Sequence, residues 1–581
     1  MLNRFLSHAK KRCCRPALIL LGLALVWRLS AGPFHSSALA QEKSPASEAG
    51  GASLAGRLVD PQGEPVHGAE IAVLVNGAED PVAQTTSQLD GSFVVDLPPG
   101  EMETVVVEIT RPHFWPVELH LSPVNVIQLS SGGSIRLPDL ELTRRLTPGF
   151  WVAILSFVLI LILIALERLH KTTAALLGVA LVLGVSFVGG ALNPDLFIFD
   201  FSRALEYVHF DVIFLVMGMM IVIGVIEETG IFQWLAYRSY RLSRGRVWLL
   251  VTVLILITSL ASALLDNVTT MLLMAPITIQ IALTLEINPL SVLIPEVLAS
   301  NIGGTATLIG DPPNILIGSY AGLGFNDFLI NLTPGVLLAQ VAFIIYVMVR
   351  YRREYHVASS RLSAAMLDHL RESGRIVQPQ KLIKSGLIFA VMLLLFILGD
   401  LIHLVPAVTA ILGAVAMLLW IATDIEEMLK VVDWTTLVFF IALFIVVGAL
   451  QEVGAIGLIA AGLGKLVDSS LIGAILVLIC SATLLSGVID NIPLAATMLP
   501  VIAFLNHTVP GAESGVLWYA LAIGTGMGGN STLIGASPNV VTAGIAERAG
   551  FRITYLGFLR VSLPATAITV AIGTAWLLIR F

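Results

Sequence analysis

A chain of 581 residues with 56% hydrophobic and 13% charged residues and a mean hydropathy of +0.89 carries about half the charge of a soluble domain, where roughly 25% is usual, and has the composition of a membrane protein. Its formal charge of −7 is spread without a long acidic or basic run, which argues against a nucleic-acid partner. Three cysteines and no Cys/His cluster argue against a disulfide framework and a zinc site.

Arg4, Lys10, Lys11, Arg12 and Arg15 precede an apolar run from Pro16 to Trp27 and then Ala38-Leu39-Ala40, which reads as a signal peptide over residues 1–40 with Gln41 opening the mature chain. The run is shorter than the about 20 residues of a span, so an uncleaved anchor is the secondary reading. Cleavage would remove Cys13 and Cys14 and leave Cys480. After a linker over 41–52, residues 53–145 alternate β-branched runs (71–75, 93–95, 105–109) with turn signals such as Asp90-Gly91. That pattern predicts a small β-sandwich on the extracytoplasmic side. Gly56 to Asp60, Gly63 to Ala69 and Asp90-Gly91-Ser92-Phe93 through Pro98-Pro99-Gly100 resemble the carboxypeptidase regulatory-like family, which implies a sandwich without catalytic residues.

Residues 149–581 read as a membrane domain, with spans near 149–166, 174–190, 211–226, 291–319, 333–350, 382–400, 406–422, 434–450, 516–547 and 559–579. Two further apolar stretches, 247–284 and 470–507, are each interrupted halfway by Asp-Asn, as expected of re-entrant hairpins. Arginines and lysines place the loop 351–381 in the cytoplasm, and the span count agrees if both interrupted stretches turn back.

The membrane region repeats itself. Asp266-Asn267 with Pro276 recurs as Asp490-Asn491 with Pro500, a shift of 224, and the run Gly303 to Asn314 recurs as Gly528 to Asn539, a shift of 225. Repeat 1 spans about 211–350 and repeat 2 about 434–581, and the span count gives them opposite orientations. Inverted repeats with Gly/Pro-interrupted segments at matching positions are a transporter pattern and point to the substrate site.

A glycine pair followed by proline and asparagine unwinds a helix, freeing carbonyls for a cation and helix N-termini for an anion. The candidate ligands are therefore Asp266, Asn267, Asn301, Gly303, Gly304, Thr305, Thr307, Asp311 and Asn314. Their second-repeat set is Asp490, Asn491, Gly528, Gly529, Asn530, Ser531, Thr532, Ser537 and Asn539. Membrane carboxylates cost about 2.5–3.5 kcal/mol when ionised at a helix centre, and bound Na⁺ or a proton would relieve Asp266 and Asp490. The plainer reading makes both of them helix caps. Asp311, opposite Ala536, is a one-sided charge or a local cap; Glu296 lines the pathway or lies near the cytoplasmic surface. Glu227, Glu228 and Glu452, near span ends, are read as solvated. No G-x-x-x-x-G-K loop and no pair of helical zinc histidines occurs, so the chain is not read as an enzyme and no cofactor is expected beyond Na⁺ or H⁺ as coupling ion. Ion gradients would then drive transport unless a separate ATPase subunit joins.

Asn301 to Asn314, Leu265-Asp266-Asn267 and Ile489-Asp490-Asn491-Ile492-Pro493 resemble the ion transporter superfamily, in the citrate transporter-like branch that holds arsenite permeases, D-type Na⁺/H⁺ antiporters and the melanosomal P protein. The resemblance covers about 150–581. It implies an all-α polytopic fold with broken helices, an elevator mechanism, a dimerising scaffold, and sites at the hairpin tips and unwound loops. Asp-Asn at those tips, where related carboxylate symporters usually have Ser-Asn-Thr, favours small inorganic ions exchanged against H⁺ or Na⁺ over a Na⁺-coupled di- or tricarboxylate symporter. A membrane-anchored binding or sensory protein is the reading from another class.

Overall fold

The computed structural model describes residues 52–581 apart from 62, 64, 79, 89, 99, 167–168, 244–245, 358–375, 422–423 and 468–469. The signal peptide over 1–40, nearly all of the linker and most of the loop 351–381 lie outside the described residues. The chain divides into two compact units, 52–110 with Pro116–Leu142, and Arg111–Trp115 with Thr143–Phe581.

The first unit has strands β1 (Ala52–Val59), β2 (Glu70–Val75), β3 (Ala83–Thr86), β4 (Ser92–Leu97), β5 (Val105–Thr110), β6 (Val117–His120), β7 (Ser134–Arg136) and β8 (Leu140–Glu141), with helix α1 (Pro123–Ser130) before β7. β4-β1-β7 with β8 on β1 form one four-stranded sheet and β3-β2-β5-β6 the other. Alternation buries Leu54, Leu58, Ile71, Val73, Phe93, Val95, Val107 and Ile109. Gly91 has φ +76° in the turn before β4, and a Cβ there would strike the Leu58 carbonyl, so the Asp90-Gly91 signal is a steric requirement.

The second unit is helical: α2 (Pro148–Ala165), α3 (Lys171–Gly184, prolonged through a π turn to Leu192), α4 (Phe201–Glu206), α5 (Phe210–Glu227), α6 (Ile231–Ser243), α7 (Val247–Leu264), α8 (Asn267–Thr284), α9 (Leu290–Gly304), α10 (Pro312–Ala321), α11 (Phe325–Asn331), α12 (Thr333–Arg350) and α13 (Arg352–Val357). Then follow α14 (Pro379–Ile402), α15 (Pro406–Ile421), α16 (Ile425–Val431), α17 (Trp434–Glu452), α18 (Ala455–Val467), α19 (Leu471–Ser486), α20 (Asn491–Thr508), α21 (Val516–Gly526), α22 (Ser537–Arg548) and α23 (Tyr555–Arg580). Among the described residues eight helices are long and apolar enough to cross a membrane, and α2, α9, α15, α18 and α19 are shorter apolar helices.

The repeats correspond element by element: α5 with α17, α6 with α18, α7–α8 with α19–α20, α9 with α21, α10 with α22, and α12 with α23. Two expected spans are interrupted, 291–319 into α9 and α10 and 516–547 into α21 and α22. Pro312-Pro313 and Pro538 restart the second half of each, in the first-turn positions where a missing N–H costs nothing. The repeats interlock: α8 packs on α22 and α20 on α10, so each hairpin leans on the broken helix of the other repeat. α7 packs on α9, and α19 on α21.

Glu228 pairs with Lys381, but Glu452 corrects the solvated reading of the span ends. It is buried, with Arg111 Nη2 at 2.5 Å from Oε1, and Arg203 Nε at 3.2 Å and the Tyr207 hydroxyl on Oε2. Arg144 Nη1 adds a bond of 3.2 Å to its carbonyl. The segment Arg111–Trp115 is fixed further by His113, whose ring nitrogens meet Thr147 Oγ1 at 2.9 Å and the Ile198 carbonyl at 3.3 Å; burial holds this imidazole below its usual pKa.

Candidate functional site

The first hairpin turns in two residues, 265–266, and the second in four, 487–490. Leu265 is extended and Asp266 caps α8, its Oδ2 accepting from Thr269 N at 2.9 Å and Thr269 Oγ1 at 3.0 Å. Asp490 caps α20 through Ile492 N at 3.2 Å, and its other oxygen accepts from Ser537 Oγ at 2.8 Å. Both are caps in geometry, yet both are half-buried. Asp311 stands before α10 without a cap bond; it is buried and accepts from Asn491 Nδ2 at 3.4 Å, within electrostatic reach of Asp266 and Asp490.

An asparagine cluster joins the two repeats. Asn301 Nδ2 donates to Asn530 Oδ1 at 2.7 Å and Asn539 Oδ1 at 3.0 Å, while its Oδ1 accepts from Asn267 Nδ2 at 3.3 Å. Asn530 Nδ2 donates to the Leu298 carbonyl at 3.0 Å, which fixes that amide's orientation. Asn267 Oδ1 is met by the Ser262 hydroxyl. All these asparagines are buried.

The freed loop carbonyls are largely taken up from within. Asn314 Nδ2 donates to the carbonyls of Gly304, Thr305 and Thr307 at 3.2, 3.2 and 2.8 Å, and Asn539 Nδ2 to those of Gly529 and Thr532, both at 3.0 Å. The hydroxyl of Thr307 donates to the Ala263 carbonyl and that of Thr532 to Gly487 at 2.6 Å, tying each loop to its own hairpin; Thr305 Oγ1 donates to Asn301 O at 2.9 Å. Ser531 contributes its carbonyl to Ser562 Oγ at 3.0 Å. Asn314 Oδ1 differs: it is buried with no partner among the described residues, whereas its counterpart Asn539 Oδ1 receives Asn301. The residue of repeat 2 matching Asn301 at the 225 shift is Gly526, which has no amide to offer.

The glycine pair is explained by contacts. A Cβ on Gly303 would overlap the Ser259 carbonyl of α7, and one on Gly304 the Asn267 amide; on Gly528 it would lie 2.7 Å from Thr483 Cα and on Gly529 3.0 Å from Gly535 O. Gly303→Ala is expected to lower stability by about 1–3 kcal/mol, because a helix backbone must shift. Gly304→Ala is expected to spare stability relative to Gly303→Ala and to lose transport, because it displaces Asn267. Thermal unfolding and flux measured on both variants separate these effects; equal unfolding midpoints for the two would contradict the assignment.

Sequence reasoning missed Lys171. Its Nζ reaches Ser537 Oγ at 3.3 Å, and that hydroxyl in turn donates to Asp490, so a cation at the start of α3 stands one hydrogen bond from a hairpin tip. The available signal was a single lysine opening an apolar span. Ser262 and Ser300, 3.0 Å apart beside Asn267, were also missed, since an isolated serine carries no motif.

A protein-family model described as citrate transporter matches residues 161–524, more than half of the chain. The chain belongs to the citrate transporter family. This family member is 39% identical over 431 residues to a protein of Mycobacterium bovis named an uncharacterized transporter, covering 74% of the chain and 98% of that relative. It is 35% identical over 493 residues to the P protein of Homo sapiens, covering 72% of the chain and 58% of the P protein. Among solved structures, the YdaH transporter of Alcanivorax borkumensis aligns over 74% of the chain and 97% of its own with a TM-score of 0.50 at 14% identity, a likeness of fold. This citrate transporter family member is thus a multi-pass membrane transporter, and the β unit lies before the matched region.

Proposed function

We propose that the protein is a secondary active transporter that moves a small inorganic ion across the cytoplasmic membrane, with a cation such as Na⁺ exchanged for H⁺ at the two hairpin tips. The carrying observation is that α8, α10 and α20 each have an aspartate, Asp266, Asp311 and Asp490, at the residue before their first turn. Carboxylates occupy the positive helix ends where a bound anion would sit, so the junction offers acceptors and negative charge. The unpartnered Asn314 Oδ1 is one more neutral oxygen acceptor. Na⁺ or a proton offsets the same carboxylates in turn, which couples the two flows. α7–α10 and α19–α22 form the moving body in an elevator cycle against a scaffold that pairs as a homodimer, with the β-sandwich on the extracytoplasmic side.

α22 has Ala536 at the corresponding place, so its N-terminus carries no side-chain cap. This favours, as a second reading, an anion such as arsenite or a carboxylate bound there. Purified protein in liposomes with an internal pH dye, given Na⁺, Li⁺, arsenite, citrate or succinate, decides. Na⁺-triggered proton flux lost in both Asp266→Asn and Asp490→Asn is the expected result. Flux with an anion alone transfers the assignment to the second reading, and no flux with any of them would leave the sensory protein.

A further inference from the structure

The polar contacts of repeat 1 do not end at Asn267. They continue along the seam between α7 and α9, where Ser262 Oγ and Ser300 Oγ lie 3.0 Å apart, and one turn further from the tip Thr258 Oγ1 donates to Glu296 Oε1 at 2.9 Å. Thr258 precedes Ser262 by four residues and Glu296 precedes Ser300 by four, so the two pairs are stacked, about 6 Å apart along the helices. Glu296 has no exposed surface. Its Oε2 faces the hydroxyl of Thr278 on α8, and neither atom has another partner among the described residues.

Repeat 2 supplies the internal control. At its shifts of 224 and 225, Ser262 is matched by Ser486 and Ser300 by Thr525, and Ser486 Oγ bonds the Thr525 carbonyl at 3.0 Å. One turn further on, Thr258, Glu296 and Thr278 are matched by Ala482, Leu521 and Ile502, all buried. An apolar trio therefore fills this position adequately, and the packing of the fold does not require a carboxyl there.

We infer that Glu296, with Thr258 and Thr278, is a proton-binding site one helical turn behind the repeat 1 hairpin tip. A proton placed on Oε2 removes a charge that no cation offsets and gives that oxygen a donor for Thr278 Oγ1; when it leaves, the hydroxyls of Thr258 and Thr278 remain as donors to the carboxylate. A metal cation fits less well, because the site offers two carboxyl and two hydroxyl oxygens and Na⁺ takes more ligands than that. The Ser291 carbonyl that Pro295 frees on α9 is taken by the Tyr355 hydroxyl at 2.6 Å. α7 and α8 carry no titratable side chain. On the other helices touching α9, Arg350, Glu547, Arg548, Arg560 and Arg580 lie within two turns of a helix end, and none pairs with Glu296 among the described residues. Tyr346 and Tyr519 on those helices are bonded to the Val561 carbonyl and to Asn331.

This rests on H⁺ being the coupling ion, but its test does not need flux. Infrared difference spectra of the full chain in lipid films, taken between about pH 9 and about pH 5, lie above the range where ordinary carboxylates titrate. The expected result is a protonated-carboxyl C=O band that moves when the unmodified protein carries isotope-labelled glutamate and is lost in Glu296→Gln. An unmoved band, no band, or the same band in Glu296→Gln overturns the proposal. The triple variant Glu296→Leu, Thr258→Ala, Thr278→Ile, which copies repeat 2, keeps the test open if Glu296→Gln does not fold. A folded triple variant with unchanged Na⁺-triggered proton flux and pH profile also overturns it. Flux absent in the unmodified protein with the band present would refute the transport reading alone.

Discussion

Asn301→Ala is expected to abolish transport and to lower the stability of the membrane unit by at least about 3 kcal/mol. Asn301 satisfies three buried groups at once, Asn530 Oδ1, Asn539 Oδ1 and Asn267 Nδ2. A buried polar group left unsatisfied costs about 1–3 kcal/mol. These partners cannot turn to find others. Flipping Asn530 would break its bond to the Leu298 carbonyl, and flipping Asn539 would break two bonds that hold the second unwound loop. The same reasoning makes the near-isosteric Asn301→Asp as damaging as Asn301→Ala, since a carboxylate presents acceptors to acceptors. Thermal unfolding in detergent with flux in liposomes checks this. A stable, active Asn301→Asp would mean that volume, not the donor, is what position 301 supplies, and the bridge between repeats would be discarded.

Much of this geometry was legible because the chain writes it twice. Asp-Asn midway through an apolar stretch and Gly-Gly followed by Pro and Asn are local signals, and the helices break within a few residues of them. Less legible were elements without a clear period. α6, with Arg238, Arg241 and four aromatics, and the short α1, with only Val126 and Leu129 buried, were not anticipated. Least legible were pairings across long separations. Asn301 and Asn539 are 238 positions apart and Arg111 and Glu452 are 341 apart, and one sequence gives no register for such distances. A glutamate ending an apolar run looks solvated until the fold brings arginines to it. The freed carbonyls were foreseen as ligands, but the asparagines two residues into α10 and α22 use their amide protons on them, which leaves Asn314 Oδ1 as the open atom.

Glu452→Ala is the second large effect expected, a loss of about 3–5 kcal/mol, because removing one member of a buried ion pair leaves the others uncompensated. The Glu452 side chain is 7% exposed and Arg111 11%, so neither guanidinium nor carboxylate has ready access to water. Arg203, at 24%, is better solvated, and the Tyr207 hydroxyl shares the same carboxyl oxygen. Glu452→Gln should fall between Ala and the unmodified chain, since an amide oxygen still accepts one bond while the charge is gone. Arg111→Ala should cost less than Glu452→Ala, because Arg203 and Tyr207 continue to hold the carboxylate. The ordering Ala below Gln at position 452, read from unfolding midpoints, should persist at high salt, since screening acts weakly on buried pairs. Midpoints that converge as salt rises would place the cluster in water, and Glu452 would then be the solvated span end that its position in the sequence suggests.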